Sequence, residues 1–151
     1  MTLTYRAASK SDANLLIDIC NSSFYEDYIH YGECPGYGKT REQMERSILK
    51  FPKYIIIKDD IPVGVISFVN KGNGSYHIGC LCVIPTYQRM GIGSQALQYM
   101  LSICPEWEQI TLVTPSDKEK NIKFYTEKCG FRIVGKEMDG NVEVTRFIKV
   151  R

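Results

Sequence analysis

The hydrophobic pattern of residues 75–101 predicts a strand, a turn and a helix in succession. Residues 76–84 are rich in β-branched, aromatic and cysteine side chains and stop at Pro85, which is typical of a buried strand. The apolar residues of the following helix recur at helical spacing: Ile92, Ala96, Leu97, Met100 and Leu101. Between these two elements, residues 88–94 place two glycines at the mouth of the helix.

The remaining pattern predicts one α/β (α+β) domain over residues 1–151, with a mixed, mostly antiparallel central sheet of six or seven strands and about four flanking helices. The predicted strands are residues 3–7, 54–58, 63–69, 76–84, 109–114, 131–136 and 141–150. The other helices are predicted around residues 15–20 (continuing or restarting through 24–29), after Thr40 up to Pro52, and over 116–128. Because a helix separates the strands at 76–84 and 109–114, these two should be parallel.

Turn and cap residues support this order of elements. Asp59-Asp60, Lys71-Gly72-Asn73-Gly74 and Asp139-Gly140-Asn141 are hairpin signals. Thr40 and Gln43 have the spacing of a helix capping box.

Composition and charge exclude several function classes. The chain has 151 residues, 44% hydrophobic and 24% charged, which is typical of a folded globular domain. Its net charge is only +2 and the sequence contains no Lys/Arg-rich run, so we expect no nucleic-acid partner. Apolar runs are too short for a membrane span, and acidic residues interrupt the first 20 positions, so we expect no membrane partner, no signal peptide and a cytoplasmic protein.

The six cysteines could bind a metal, form disulfides or lie in the core as free thiols. None forms C-x-x-C, and Cys80-x-Cys82 places two thiols on one strand face without paired histidines nearby. We therefore expect buried free thiols that behave as small hydrophobic residues, and no metal.

The two glycines after the strand favour an anion-binding turn. Glycine allows close approach of a ligand, and the positive end of the helix dipole attracts phosphate. The dinucleotide fingerprint G-x-G-x-x-G is incomplete, because Gly91 and Gly93 are present but the third glycine is missing. A P-loop ending at Gly38-Lys39-Thr40 is excluded too, because Glu33 occupies the position of its first glycine. An ordinary strand–turn–helix with glycines for packing is the alternative.

The segment LCVIPTYQRMGIGSQAL resembles the central motif of the GNAT superfamily of N-acetyltransferases, in which Gln-x-x-Gly-x-Gly binds the acetyl-CoA pyrophosphate. The order of elements is also that of the GNAT fold. The resemblance implies an acetyl-CoA-dependent N-acetyltransferase, with CoA as product, that acetylates a primary amine of a small molecule or peptide by direct attack in a ternary complex.

The resemblance also implies cofactor-binding residues. The pantetheine arm would pair with the backbone of the strand, and the pyrophosphate would accept N–H groups of the glycine loop. These residues are Leu81, Cys82, Val83, Gln88, Arg89, Met90, Gly91, Ile92, Gly93 and Ser94, together with Asn121 and Tyr125 from the family's second motif.

Tyr125 matches the tyrosine that supplies a proton to the departing thiolate in that second motif. A phenol with a pKa near 10 is a suitable acid for this step. However, Tyr125 precedes Gly130 by five residues where the family has four, and Asn121 is closer to the tyrosine than in the family. Either the extra residue is absorbed after Tyr125, or the phenol points elsewhere, for example into the core.

His77 is the candidate general base, since it precedes Val83 by six residues where several GNAT members carry Glu or His. Gly79, two residues along the strand, would leave open space on the same face. An imidazole pKa near 6.5 suits deprotonation of an ammonium at neutral pH, although a structural role is the alternative.

The acceptor pocket is implied to lie near the first two helices and their loop. Aromatic and acidic residues there would suit a cationic amine, or would form a solvated surface. The candidate substrate residues are Phe24, Tyr25, Tyr28, Glu33 and Tyr37.

Two other functions compete with this interpretation. One is a catalytically silent acyl-CoA-binding or regulatory domain, which the shifted Tyr125 spacing favours. The other is a nucleotide- or phosphosugar-binding module, which the missing Walker lysine and incomplete fingerprint disfavour. The sequence does not specify the acceptor, the acyl length or the oligomeric state, and it is compatible with a homodimer.

Overall fold

A computed structural model describes residues 2–151. The strands are β1 (Leu3–Ala7), β2 (Lys53–Lys58), β3 (Ile61–Gly72), β4 (Ser75–Val83), β5 (Gln109–Pro115), β6 (Arg132–Asp139) and β7 (Val142–Val150). The α-helices are α1 (Ala13–Tyr31), α2 (Arg41–Lys50), α3 (Ile92–Ile103) and α4 (Glu119–Lys123), and a π-helical turn at Phe124–Lys128, here called the π turn, follows α4.

The strands hydrogen-bond in the order β1-β2-β3-β4-β5-β7-β6. The β4–β5 pair is parallel, and the pairs β1–β2, β2–β3, β5–β7 and β6–β7 are antiparallel. This confirms the predicted mixed, mostly antiparallel sheet and the parallel crossover through α3. Among residues 2–151, none of the helices combines the length and apolarity needed to span a bilayer.

The chain divides into two compact units. One comprises the chain up to Val69 together with Gly79–Tyr99, and the other comprises Asn70–Ile78 and Met100–Arg151. The single domain over residues 1–151 stays a prediction.

In the first unit, α1 and α2 pack their apolar positions against β2, β3 and β4. Leu16 of α1, Ile55 of β2 and Val65 of β3 are at most 1% exposed. Helix α1 is continuous over its 19 residues, so of the two predicted alternatives it continues and does not restart. Gly32 ends it in the left-handed conformation. The predicted capping box is confirmed, since the Thr40 hydroxyl accepts from the Gln43 N–H and the Gln43 side chain accepts from the Thr40 N–H.

In the second unit, β5 is hydrogen-bonded to β7, which is bonded in turn to β6. Asn73 and Gly74 have positive φ angles of 53° and 78° in the turn before β4, as expected for a two-residue hairpin. Ile110 of β5 and Phe147 of β7 are fully buried.

The predicted helix over 116–128 is wrong at its start and in its type. Ser116 is tied to the sheet, because its N–H donates to the Glu143 carbonyl at 2.9 Å, and Lys118 closes a turn onto Pro115. The α-helix therefore begins only at Glu119, and it widens into the π turn after five residues.

Candidate active site

In the first unit, the segment Gln88–Ser94, here called the glycine loop, joins β4 to α3. The Gln88 side-chain amide donates to the Val83 carbonyl at 2.9 Å and so holds the loop to the end of β4. Arg89 and Gly91 adopt left-handed backbone conformations, with φ of 66° and 78°. A Cβ at Gly91 would meet no atom within 4 Å, so the backbone conformation, and not space, requires glycine there.

The glycine loop presents the first turn of α3. The Gln95 N–H donates to the Gly91 carbonyl at 3.2 Å, and the Ser94 hydroxyl donates to the same carbonyl at 3.1 Å. Backbone N–H groups before Gln95 lie in the part of a helix that has no earlier carbonyl to accept them. This arrangement, with the positive end of the helix dipole, can bind an anion such as a pyrophosphate.

The end of β4 can contribute backbone groups to the same unit. Cys82 is buried, with 6% exposure, so its thiol lies in the core and its main chain is the part that could pair with a pantetheine arm. Its strand neighbours Leu81 and Val83 are half-buried. Gly64 of β3 allows close approach to the Cys82 carbonyl, because a Cβ there would clash with that oxygen.

In the second unit, Tyr125 lies inside the π turn, half-buried among aromatic rings. Its ring centroid is 5.7 Å from that of Phe131 and 5.6 Å from that of Phe147. The Phe131 N–H donates to the Tyr125 carbonyl at 2.9 Å, which fastens the end of the turn to β6. A π turn holds one residue more than an α turn. The turn therefore has room for the extra residue between Tyr125 and Gly130.

Asn121, one turn before Tyr125, is engaged within the protein. Its side-chain amide donates to the Thr114 hydroxyl at 3.0 Å, which ties α4 to the end of β5. This bond gives Asn121 a positioning role for the helix, and the predicted contact with the cofactor stays a prediction.

His77 lines a cavity of about 470 Å³ in the second unit. Its Nδ1 lies 2.8 Å from the Thr111 hydroxyl, its pairing partner on β5. Burial lowers the pKa of His77 below its usual value, Lys71 lowers it further, and Glu137 opposes both effects. The neutral imidazole therefore predominates at pH 7, as a general base requires. As predicted, a Cβ at Gly79 would meet open space.

The predicted substrate residues of the first unit form an aromatic group on α1 and the loop after it. Tyr28 stacks on Tyr37 with ring centroids 4.4 Å apart, and Tyr25 lies 6.1 Å from the same ring. Tyr25 and Tyr28 are 53% and 40% exposed. Phe24 is half-buried and packs against Gly36, where a Cβ would lie 2.6 Å from the Phe24 Cε2 atom. Glu33 in the loop is half-buried.

Comparison with known proteins connects these features. The model of the acetyltransferase (GNAT) family matches residues 20–131, which include the glycine loop and Tyr125. The chain belongs to the GNAT family. Acetyl-CoA is the cofactor of this family, as the resemblance of the central motif implied.

A curated relative, YrkN of Bacillus subtilis (strain 168), is 33% identical over 82 residues. The match covers 54% of this chain and 44% of YrkN, so the chain spans less than half of that relative.

Solved structures share the GNAT fold at low identity. An acetyltransferase from Thermus thermophilus is 19% identical with a TM-score of 0.81, covering 100% of this chain and 98% of that one. The PaiA N-acetyltransferase from Thermoplasma acidophilum in complex with coenzyme A is 18% identical with a TM-score of 0.77, covering 97% and 98%. Spermidine N-acetyltransferase from Vibrio cholerae in complex with CoA and spermine is also 18% identical with a TM-score of 0.77, covering 98% and 95%.

This GNAT domain also contains a group of side chains that the sequence analysis did not assemble. The sulfur atoms of Cys20, Cys80 and Cys82 lie within 4.8 Å of one another. The pair on β4 was visible in the sequence as Cys80-x-Cys82, whereas Cys20 joins it only through the packing of α1. Hydrogen bonds from the two β4 thiols, with help from Lys39 and Lys53, lower the pKa of Cys20 to about 4. The same hydrogen bonds to Cys20 keep the protons on Cys80 and Cys82 and so raise the pKa of these two thiols.

Proposed function

We propose that this GNAT domain transfers the acetyl group of acetyl-CoA to a primary amine of a small molecule or peptide, by direct attack in a ternary complex. The observation that carries the proposal is the glycine loop, whose left-handed residues and helix start form a backbone site for the pyrophosphate. The backbone of Leu81, Cys82 and Val83 would hold the pantetheine arm as an added strand.

The reaction needs a neutral amine, a polarised thioester and a proton for the thiolate. His77 would take the proton from the ammonium, directly or through a water molecule, because its lowered pKa keeps it neutral. A backbone N–H of β4 would polarise the acetyl carbonyl. As the new C–N bond forms and the C–S bond breaks, Tyr125 would give its proton to the sulfur of CoA.

The acceptor is proposed to be cationic before it reacts. The exposed rings of Tyr25 and Tyr28, with the half-buried Tyr37 beside them, can contact an ammonium group through their faces. The spermine in the Vibrio cholerae structure is consistent with an amine acceptor on this fold.

The first test is isothermal titration of the purified protein with acetyl-CoA, CoA and ATP. We expect micromolar binding of acetyl-CoA and CoA and none of ATP, followed by acetyl transfer in a screen of polyamines, small amines and peptides. Absence of CoA binding would overturn the cofactor site, whereas CoA binding with only hydroxyl acceptors would overturn the amine acceptor.

The alternative, a silent acyl-CoA-binding domain, rested on the spacing of Tyr125. The π turn offers a place for the extra residue, so this spacing no longer favours loss of activity. A cytoplasmic location and a homodimer stay predictions.

A further inference from the structure

The three thiols of Cys20, Cys80 and Cys82, here called the thiol cluster, meet the geometric requirement for a metal site. A zinc–thiolate bond is about 2.3 Å long, which places sulfur atoms about 4 Å apart around one ion. The sulfur atoms of the thiol cluster all lie within 4.8 Å of one another. Side-chain movements of less than about 1 Å would therefore bring all three to bonding distance of one ion.

A strand and a helix that pack together bring the thiol cluster into one place. Cys80 and Cys82 lie on one face of β4, and Cys20 lies on α1, which packs on that face. Cys20 and Cys82 are each 6% exposed, whereas Cys80 is half-buried. The fold therefore keeps two of the three cysteines in the core and leaves part of the Cys80 residue in contact with solvent.

The charge around the thiol cluster selects the class of ion. Three thiolates around a divalent ion leave one negative charge, which a single buried cation can neutralise. Lys53 can do so: it is half-buried, its ammonium donates to the Ser67 hydroxyl at 3.1 Å, and it interacts electrostatically with Cys20 and Cys80. Lys39 also interacts electrostatically with Cys20. These cations favour the thiolate form of the cluster, which is the form that binds a thiophilic metal ion.

We propose that Cys20, Cys80 and Cys82 form a binding site for a thiophilic divalent cation of the zinc(II) class, with Lys53 as the charge-balancing residue outside the first coordination shell. Soft thiolate ligands favour zinc over magnesium or calcium. The site is distinct from the glycine loop, since its ligands are side chains that point into the core of the first unit.

The experiment uses cobalt(II) as a coloured probe on the 151-residue protein, reduced and freed of metal with EDTA. We expect one equivalent of cobalt(II) to bind with a thiolate-to-cobalt charge-transfer band, and zinc(II) to remove that band by displacement. Cys20→Ala should lose the band, while Cys34→Ala, which removes a half-buried thiol outside the cluster, should keep it. Lys53→Met should keep the band but weaken the affinity by about tenfold or more, as removal of outer partners of metal ligands does.

A measurement on the unaltered protein covers the case in which Cys20→Ala does not fold. Zinc(II) should slow alkylation of Cys80 by iodoacetamide, followed by mass spectrometry, and should leave the alkylation rate of Cys34 unchanged. A missing charge-transfer band, a band that persists in Cys20→Ala, or equal alkylation of Cys80 with and without zinc(II) would each show that the cluster is only a group of packed core thiols.

Discussion

The glycine loop of the first unit and the Tyr125–His77 pair of the second unit would serve one reaction in different ways. The glycine loop offers backbone N–H groups, so its chemistry depends on φ angles such as the 78° of Gly91. Tyr125 and His77 are proposed to act through one proton each, so their chemistry would depend on side-chain register and pKa. A backbone site should tolerate most changes of side chain, whereas a proton-transfer site should fail when one oxygen or nitrogen is lost.

The largest effect is expected at Tyr125. Tyr125→Phe removes the proposed acid and keeps the ring that contacts Phe131 and Phe147, so we expect kcat to fall by about 10²- to 10⁴-fold. The affinity for acetyl-CoA, measured by titration, should change little. Tyr54→Phe is the matched control, because Tyr54 is half-buried and stacks on Phe68 in the first unit. Equal turnover in wild type and Tyr125→Phe would remove this phenol from the mechanism.

The difference between the two regions also explains what could be predicted from the sequence. Glycines, Pro85 and the hydrophobic periodicity are local signals, and they correctly predicted the strand, the loop and helix α3. The capping box at Thr40 and Gln43 is local in the same way.

Features that depend on packing were harder to predict from the sequence. The Tyr125 spacing showed an extra residue, but only the bond from the Phe131 N–H to the Tyr125 carbonyl reveals how the segment ends. Cys20 joins Cys80 and Cys82 through contacts between elements distant in sequence, and no local pattern encodes such contacts.

An effect of intermediate size is expected at Gly91. Gly91→Ala should weaken binding of acetyl-CoA by about tenfold, because a left-handed alanine costs roughly 1–2 kcal/mol and the loop would relax away from its N–H geometry. Gly32→Ala provides a matched control, since Gly32 has nearly the same φ, 76°, and equally open space, but ends α1. Both variants should lose similar stability in thermal unfolding. Equal acetyl-CoA affinity in the two variants would contradict a backbone pyrophosphate site.

A smaller effect is expected from deletion of Glu127, an exposed residue of the π turn. The deletion places Tyr125 four residues before Gly130 and allows ordinary α-helical bonds, so kcat should stay within about threefold of wild type. Deletion of Gln98 from α3 is the control: it rotates the end of the helix by roughly 100° and exposes the buried Met100, so this variant should not fold. Inactivity of a folded Glu127 deletion would mean that the π turn itself positions the phenol.

The smallest effect concerns the pKa of His77, which two neighbouring charges move in opposite directions. Lys71 disfavours the imidazolium and lowers this pKa, whereas Glu137 favours the imidazolium and raises it. Lys71→Gln should therefore shift the acid limb of the kcat/KM profile to higher pH and Glu137→Gln to lower pH, each by roughly a few tenths of a unit, since both charges are solvent-exposed and screened. In wild type the limb should lie below pH 6.5, the usual value for histidine, because burial is the largest influence. Shifts of the same sign in both variants would mean that the limb reports a different group, because removal of Lys71 and removal of Glu137 move the pKa of a group near both of them in opposite senses.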